Sequence, residues 1–256
     1  MLVPVVVINP KPTAPCTRIF STLFSCSITC SILLCVSCDG PSADLQQFST
    51  IPAKRTVREL IADTLANPSE TTLDLQGLRV IDQDLLLLAN NKHITHIHID
   101  DGDLSEQGLA PLATLENLVQ IRIRLRLTDE AIPIITKMKS LRYLNIPKAD
   151  FTDEGIKLLC SHPNIELLRI GGERLSNSSL YSLATMQSLS FLHLIGVAIN
   201  DEGLPALYNM PHLQSLYLDD TDVTDAGLVK LLEILPSLHL HINQTHIDRD
   251  PNKHDH

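Results

Sequence analysis

The hydrophobic residues of this chain follow one spacing that recurs from about Glu70 to Asp248. Each copy has apolar residues at its fourth and sixth positions, then a turn, then apolar residues three or four apart. The copies begin at Glu70, Ile94, Leu118, Leu141, Ile165, Leu189, Leu213 and Ser237. Successive starts differ by 24 residues, except that Leu118 and Leu141 differ by 23 (141 − 118). A period in the twenties that holds over so many copies indicates a repeat architecture.

The two halves of each copy predict two different elements. In the first half, core residues alternate with outward ones, for example Ile97 and Ile99 with His96 and His98, which is the periodicity of a strand. The same pairs elsewhere are Leu73/Leu75, Ile121/Ile123, Leu144/Ile146, Leu168/Ile170, Leu192/Leu194, Leu216/Leu218 and Leu240/Ile242. In the second half the spacing changes to three or four residues, as in Leu109, Leu112 and Leu115. That spacing predicts a short helix facing the same core.

One such copy cannot bury its apolar face alone, but stacked copies bury a continuous core. The pattern therefore predicts an α/β fold, a right-handed leucine-rich repeat solenoid of about eight repeats of 24 residues. We expect a parallel sheet on its concave face and short helices on its convex face. Residues 70–248 form this domain in the prediction.

A polar residue stands where each helix would begin, at Ser105, Thr128, Thr152, Ser176, Asn200 and Thr224. Such a side chain accepts hydrogen bonds from the free N–H groups of the first turn. An acid follows directly at Glu106, Asp129, Asp153, Asp201 and Asp225. Negative charge is favourable at a helix N-terminus, so we interpret these carboxylates as part of the caps and not as a catalytic row.

The sequences TDEG at Thr152–Gly155, NDEGL at Asn200–Leu204 and TDAGL at Thr224–Leu228 resemble a known type of repeat. They are similar to bacterial leucine-rich repeat proteins of the T-D-x-G-L type, with repeats like those of ribonuclease-inhibitor-like and F-box-associated families. The resemblance implies binding of a protein or ligand, and it implies no chemistry. Two departures stand out: Ser176–Leu180 reads SNSSL, and the copy that begins at Glu70 lacks the glycine.

Residues 1–41 do not follow the repeat. Lys11 and Arg18 precede an uncharged run from Ile19 to Cys38, which is typical of an export signal or membrane anchor. Cys38 ends this run as the cysteine of a bacterial lipobox would, although Cys35 stands where Leu is usual. The sequence thus predicts lipidation of Cys38. Simple secretion, an uncleaved anchor and a buried core helix are the alternatives.

Three further segments complete the predicted organisation. Residues 42–69 form a tether and an N-terminal capping helix, which the apolar spacing places at Lys54–Ala66. Residues 249–256 form a polar tail. The last copy stops after its strand, so either the tail folds back over the core or this edge is an interaction site. Of six cysteines only Cys160 lies in the repeats, so no disulfide can form within the solenoid.

Charge and outward residues narrow the function. The formal net charge of −10 argues against a general nucleic-acid binder, which needs a basic surface. Outward strand positions nevertheless bring together a group of basic and aromatic residues. We predict that this group binds an acidic protein or extended ligand. This predicted site consists of Arg122, Arg124, Tyr143, Arg169, Phe191, His193 and Tyr217. The alternative is that a solvated sheet face simply favours aromatic residues.

Two other functions are alternatives to a binding scaffold. His96 and His98 with Asp100, and His239 with His241, have ligand-type side chains, so a metal-dependent hydrolase is conceivable. Arg122 in the next strand opposes a cation there, and no metal-binding or nucleotide-binding motif occurs. An intracellular F-box-type substrate receptor is a second alternative, but only one helix fits before Glu70. We therefore predict a non-enzymatic scaffold without cofactor or metal, located at the cell envelope, membrane-associated or secreted.

Overall fold

The computed structural model describes residues 55–243 and 245–246, and the repeats predicted from the sequence stack within this part of the chain. Cys38, the predicted signal segment and the polar tail lie outside the described residues. The main sheet contains β1 (Thr72–Asp74), β3 (His96–Ile99), β5 (Gln120–Ile123), β6 (Tyr143–Ile146), β7 (Leu167–Gly171), β8 (Phe191–Ile195), β9 (Ser215–Asp219), β10 (His239–Ile242) and β11 (Thr245–His246), in that order. A second, two-stranded sheet pairs β2 (Arg79–Ile81) with β4 (Asp101–Asp103).

The strands from β1 to β10 in the main sheet are parallel, and their register repeats the sequence period. Leu73 pairs with Ile97, and Leu168 pairs with Leu192, in both cases 24 residues further on. Ile121 pairs with Leu144, 23 residues further on, as the shorter copy predicts. The predicted α/β leucine-rich repeat solenoid is therefore confirmed strand by strand. Equivalent residues of successive repeats lie side by side in rows across the sheet.

The helices form the second layer. They are α1 (Val57–Ala66), α2 (Asp82–Leu85), α3 (Ile132–Ile135), α4 (Asp153–Leu159), α5 (Asn177–Leu183) and α6 (Asp225–Ile234). The described 3-10 helices are Leu86–Leu88, Gln107–Thr114, Asp129–Ala131 and Leu204–Asn209. Leucines and isoleucines from both layers fill the core, and Leu144 and Leu192 have no exposed surface. No helix among the described residues is both long and apolar enough to cross a membrane.

Both ends of the solenoid are covered. At the N-terminal end, Thr56 and Glu59 form a reciprocal capping box that starts α1, three residues later than predicted. Helix α1 buries Ile61 over the first repeat, and Arg58 Nε lies 3.0 Å from Asp84 Oδ1. At the other end β11 pairs antiparallel with β10, so the chain folds back along the last parallel strand.

Four of the acids predicted as caps bind the neighbouring repeat, and Asp82 does so as well. Each of these five accepts hydrogen bonds from the backbone N–H and the hydroxyl of the cap residue one repeat further along. The pairs are Asp82 with Ser105, Glu106 with Thr128, Asp129 with Thr152, Asp153 with Ser176 and Asp201 with Thr224. In the remaining position Asn177 Oδ1 accepts from Asn200 N at 3.1 Å, and Asn177 Nδ2 donates to Asn200 Oδ1. We call this series the cap ladder.

The cap ladder also orders the helix starts. Thr152 Oγ1, which donates to Asp129, accepts from Gly155 N at 3.1 Å, and Thr224 Oγ1 does the same for Gly227 N at 3.3 Å. These cap hydroxyls are therefore donors to one repeat and acceptors within their own. The predicted side-chain cap is absent at Thr128, whose hydroxyl bonds, within the described part of the chain, only to Glu106 of the preceding repeat. The carboxylates join repeats in addition to favouring a helix N-terminus.

Protonation would weaken the cap ladder. Hydrogen bonds from Thr224 hold the pKa of Asp201 below its ordinary value, and those from Thr128 do the same for Glu106. Burial acts to raise the pKa of Asp153, but the bonds from Ser176 and Ser179 outweigh it, and the net shift is downward. Because these pKa values are lower in the folded state, the associated stability is present above the unfolded pKa and is lost as the pH falls through the folded values.

The cap ladder explains the glycine of the T-D-x-G-L pattern. A Cβ atom on Gly155 would lie 2.0 Å from Asp129 Oδ1, and one on Gly227 would lie 2.2 Å from Asp201 Oδ1. The carboxylate of the preceding repeat thus occupies the space of a side chain. In the SNSSL repeat, buried Ser179 stands at this position, and its hydroxyl donates to Asp153. That bond shows how a larger residue can be accommodated.

We expect Gly155→Ser to be less destabilising than Gly155→Ala, by about 1 kcal/mol, because a serine hydroxyl can donate to Asp129 as Ser179 donates to Asp153. Intrinsic helix propensity favours alanine over serine and predicts the opposite order. Chemical denaturation of both variants measures the difference. In an Asp129→Ala background the order should revert to alanine above serine. The same order in both backgrounds would contradict a carboxylate origin for the glycine.

Candidate functional site

The sheet face that points away from the helices, here called the concave face, holds the residues of the predicted site. Cα pairing sets Arg122, Asn145, Arg169, His193 and Tyr217 side by side in one row across β5 to β9. Tyr143 and Phe191 lie in the adjacent row with Leu167 between them. Arg124 directly follows β5. The structure thus brings all seven predicted residues onto one face.

His193 is held from both sides within this row. Arg169 Nε donates to His193 Nδ1 at 3.1 Å, and His193 Nε2 lies 2.8 Å from Asp219 Oδ2. Guanidinium groups only donate, so Nδ1 must accept and the ring proton must sit on Nε2, facing Asp219. The three side chains therefore form a continuous chain of hydrogen bonds that fixes the orientation of Arg169.

Burial lowers the pKa of His193 below its ordinary value, and the positive charge of Arg169 acts in the same direction. The hydrogen bond to Asp219 opposes this change but does not reverse it. The pKa of Arg169 is also lowered, first by burial and then by the charge of Arg124. The face therefore sets a guanidinium and a carboxylate on opposite sides of a neutral imidazole, with Arg124 adding further positive charge near Arg169.

Tyr217 is packed among imidazole rings. Its ring centroid lies 4.2 Å from that of His241, with an interplanar angle of 17°, and 5.2 Å from that of His193. His239 and His241 approach each other at 2.6 Å between their Nε2 atoms. These two histidines, considered from the sequence as metal ligands, thus contact each other and support the tyrosine ring. No group of three or more potential metal-binding side chains occurs among the described residues.

On the other side of the row, Arg122 and Arg124 share one carboxylate. Asp100 Oδ1 lies 3.9 Å from Arg122 Nε and 3.8 Å from Arg124 Nε, which is beyond hydrogen-bond distance. Within the described part of the chain, Arg122 Nε, Asp100 Oδ1 and Asn145 Oδ1 are buried without a hydrogen-bond partner. Buried polar atoms are normally hydrogen-bonded, so this cluster retains unused bonding capacity.

A cavity of about 260 Å³ opens in the middle of the face. Its lining residues are Asn145, Leu167, Arg169, Phe191, Leu192, His193 and Tyr217. Four of the seven predicted site residues line it, whereas Arg122, Arg124 and Tyr143 lie outside it. The predicted site did not include Asn145, Leu167 and Asp219, although they too occupy outward strand positions. Their positions in the repeat were the available signal, and the cavity and the hydrogen bond to His193 required coordinates.

Comparisons with known proteins agree with this architecture. The model of the family described as Leucine Rich repeat matches residues 137–160 and 209–232. The solved structure of internalin C2 from Listeria monocytogenes is 17% identical, with a TM-score of 0.50, over 77% of this chain and 88% of that one. An internalin F structure from the same organism is 16% identical, with a TM-score of 0.48, over 68% and 48%. No curated protein matches the chain.

The register, the cap ladder and the family match define this protein as a leucine-rich repeat solenoid. The predicted resemblance to leucine-rich repeat proteins is confirmed. At 17% identity, the likeness to internalin C2 concerns the fold.

We expect NMR to find His193 as the Nε2–H tautomer with a pKa below its ordinary value. Long-range ¹H–¹⁵N correlation spectra over a pH series report both properties, and the signal missing from a His193→Gln variant assigns the ring. Because the folded pKa is lowered, the associated stability is present above the unfolded pKa and is lost as the pH falls. Asp219→Ala should lower the pKa of His193 further, because it removes the hydrogen bond that raises it. An Nδ1–H tautomer would contradict the assigned chain of hydrogen bonds.

Proposed function

We propose that this protein is a non-enzymatic binding scaffold that captures an acidic protein or extended ligand on its concave face. The observation that supports the proposal is the grouping of three arginines and three aromatic residues on one sheet face, where Arg169, Phe191 and Tyr217 line a cavity. Arg122, Arg124 and Arg169 supply the charge. Tyr143, Phe191 and Tyr217 supply rings, and Phe191 is 36% exposed.

Charge favours an acidic partner despite the acidity of the chain as a whole. The formal net charge is −10, so most of the surface repels an anion. A local positive patch on such a body orients an incoming acidic partner and discourages other modes of contact. The mutual repulsion of Arg124 and Arg169 is relieved when a negative group lies between them.

The face is also arranged before any partner arrives. Arg169 is held by His193, and Tyr217 is packed between His193 and His241. Ordering rotamer-rich side chains on binding costs about 0.5–1.5 kcal/mol each, and that cost is reduced here. Arginine and tyrosine are enriched among residues that dominate binding energy. These properties make Arg169 and Tyr217 the strongest contributors in the proposal.

Truncation of Arg122, Arg169 or Tyr217 to Ala should weaken partner binding, with the largest single loss at or above ~2 kcal/mol. A pull-down with the full chain identifies the partner, and titration calorimetry then compares the variants. Lys157→Ala and Lys230→Ala, on helices α4 and α6, serve as controls and should bind normally. Circular dichroism checks that each variant is folded. Normal binding by the concave variants together with loss in the helix variants would place the ligand on the convex side.

We further infer that the protein is exported and tethered to a membrane through a lipid on Cys38. The uncharged run from Ile19 to Cys38, preceded by Lys11 and Arg18, supports this inference. Lipid chains on Cys38 would supply the membrane affinity. Simple secretion and an uncleaved anchor are distinguished from lipidation by experiment.

If Cys38 carries the lipid, Cys38→Ser should leave the precursor unprocessed or move the protein from the membrane to the soluble fraction. Cell fractionation and gel mobility in a bacterial expression host measure both effects. Cys35→Ser is a matched control, because the lipobox interpretation assigns the lipid to Cys38 alone. Unchanged size and membrane partition of the Cys38 variant would favour an uncleaved anchor.

A further inference from the structure

A short side chain interrupts the basic part of the concave face. Asn145 lies between Arg122 on one side and Arg169 on the other, each one strand away. Neighbouring strands are about 4.8 Å apart, so the two arginine backbones are separated by roughly 9.6 Å. An ion pair allows about 4 Å between a guanidinium nitrogen and a carboxylate oxygen, so one carboxylate above Asn145 would be within reach of both long side chains. We call this place the Asn145 gap.

The arginines around the Asn145 gap have few hydrogen-bond acceptors. Arg122 Nε is a buried donor that lacks a hydrogen-bond partner among the described residues. The nearest carboxylate, Asp100, reaches Arg122 only at 3.9 Å and is shared with Arg124. Arg169 Nε already donates a hydrogen bond to His193, and the neighbouring Arg124 and Arg122 add positive charge. An incoming carboxylate would supply the acceptor that the arginines lack.

The cavity beside the Asn145 gap has a different chemistry. Between β7 and β8 its wall is formed by Leu167, Leu192 and the exposed ring of Phe191, and Tyr217 closes the far side. Its volume of about 260 Å³ is below the roughly 300–1,000 Å³ of sites for drug-sized ligands. The cavity therefore suits one apolar side chain of a larger partner and does not suit an entire small molecule.

We propose that the concave face binds an extended peptide segment that crosses the strands and carries an acidic residue two positions from a large apolar residue. The acid occupies the Asn145 gap, and the apolar side chain enters the cavity. The apolar lining residues Leu167 and Phe191 stand on β7 and β8, so their midpoint is about one and a half strand spacings from β6, roughly 7 Å. Side chains on one face of an extended peptide recur about every 6.6–6.8 Å, which matches this separation. This inference rests on the proposed function and specifies the chemistry of the partner.

The sheet supports side-chain recognition over strand addition. Strands β5 to β9 each have a hydrogen-bonded neighbour on both sides, so their backbone groups are already paired. A peptide over the site can therefore gain affinity only from side chains and from the outward polar groups. Specificity then depends on the spacing between its acid and its apolar residue.

Selection from a random peptide library tests this specificity. Twelve-residue peptides displayed on phage are selected against the immobilised full chain, with circular dichroism as a folding check. We expect enrichment of Asp or Glu two positions from Phe, Leu or another large apolar residue. Selection on an Asn145→Asp variant, which places a carboxylate in the gap with little change in side-chain size, should lose the acid and keep the apolar preference.

A double-mutant cycle on one enriched peptide tests the contact itself. Using fluorescence anisotropy, Arg169→Ala and replacement of the peptide Glu by Gln should each weaken binding by about tenfold, the size expected for a hydrogen bond to a charged group. Combining the two should add less than about twofold further loss. Arg174→Ala and Tyr181→Ala, which change an arginine and an exposed tyrosine outside the concave face, are the matched controls and should have no effect.

Each other outcome has a defined meaning. Failure to select any peptide, enrichment without the two-residue spacing, or full additivity in the cycle would overturn this inference. If the concave variants still lost their natural partner in the pull-down, the proposed function would stand without it. If those variants retained the partner while the Lys157 and Lys230 variants lost it, the proposed function itself would fail.

Discussion

The stacking of this solenoid depends on a side-chain carboxylate that crosses from one repeat to the next. Asp129 illustrates the arrangement, since it accepts both the backbone N–H and the hydroxyl of Thr152. Apolar burial drives the repeats together but has no direction, and it alone does not specify how far one repeat slides past another. Hydrogen bonds have narrow limits on distance and angle, and so the cap ladder fixes the offset between neighbours on the helix side, as the backbone bonds of the parallel strands do within the sheet. Exposed ion pairs at the same one-repeat spacing, such as Arg126 with Asp150, contribute little by comparison.

The constant offset determines what the opposite surface can do. Because each strand is placed in register with the next, Arg122, Asn145, Arg169, His193 and Tyr217 come from five repeats yet form one straight row. Each repeat therefore contributes one side chain to this row. Substitution at a single repeat changes one point of the row and leaves the backbone of its neighbours unchanged. A short residue such as Asn145 creates a gap, and a hydrogen bond such as that between Arg169 and His193 stiffens two adjacent points.

The repetitive part of the fold was predictable from the sequence because the same positions recur in every copy. The apolar pairs, the polar caps and the short copy before Leu141 each have a direct counterpart in the structure. The reach of Asp129 into the following repeat was not predictable from cap preferences, which concern one helix at a time. The candidate site was predictable as a face but not as a geometry. That Asp219 meets His193 depends on rotamers of side chains 26 residues apart, and no spacing in the sequence specifies a rotamer.

The cap ladder also defines the unit that can be moved within this protein. An acid and the residue that makes room for it belong to different repeats, as Asp129 and Gly155 do. Glu106 precedes a repeat with Ala131 at that position, and Asp153 precedes one with Ser179. A chimera or duplication cut at the strands would separate these partners whenever the neighbouring copies differ. An exchanged module must therefore carry an acid that matches the residue at the glycine position of the following repeat. The compatibility of a graft can then be judged from that one pair of residues at each junction.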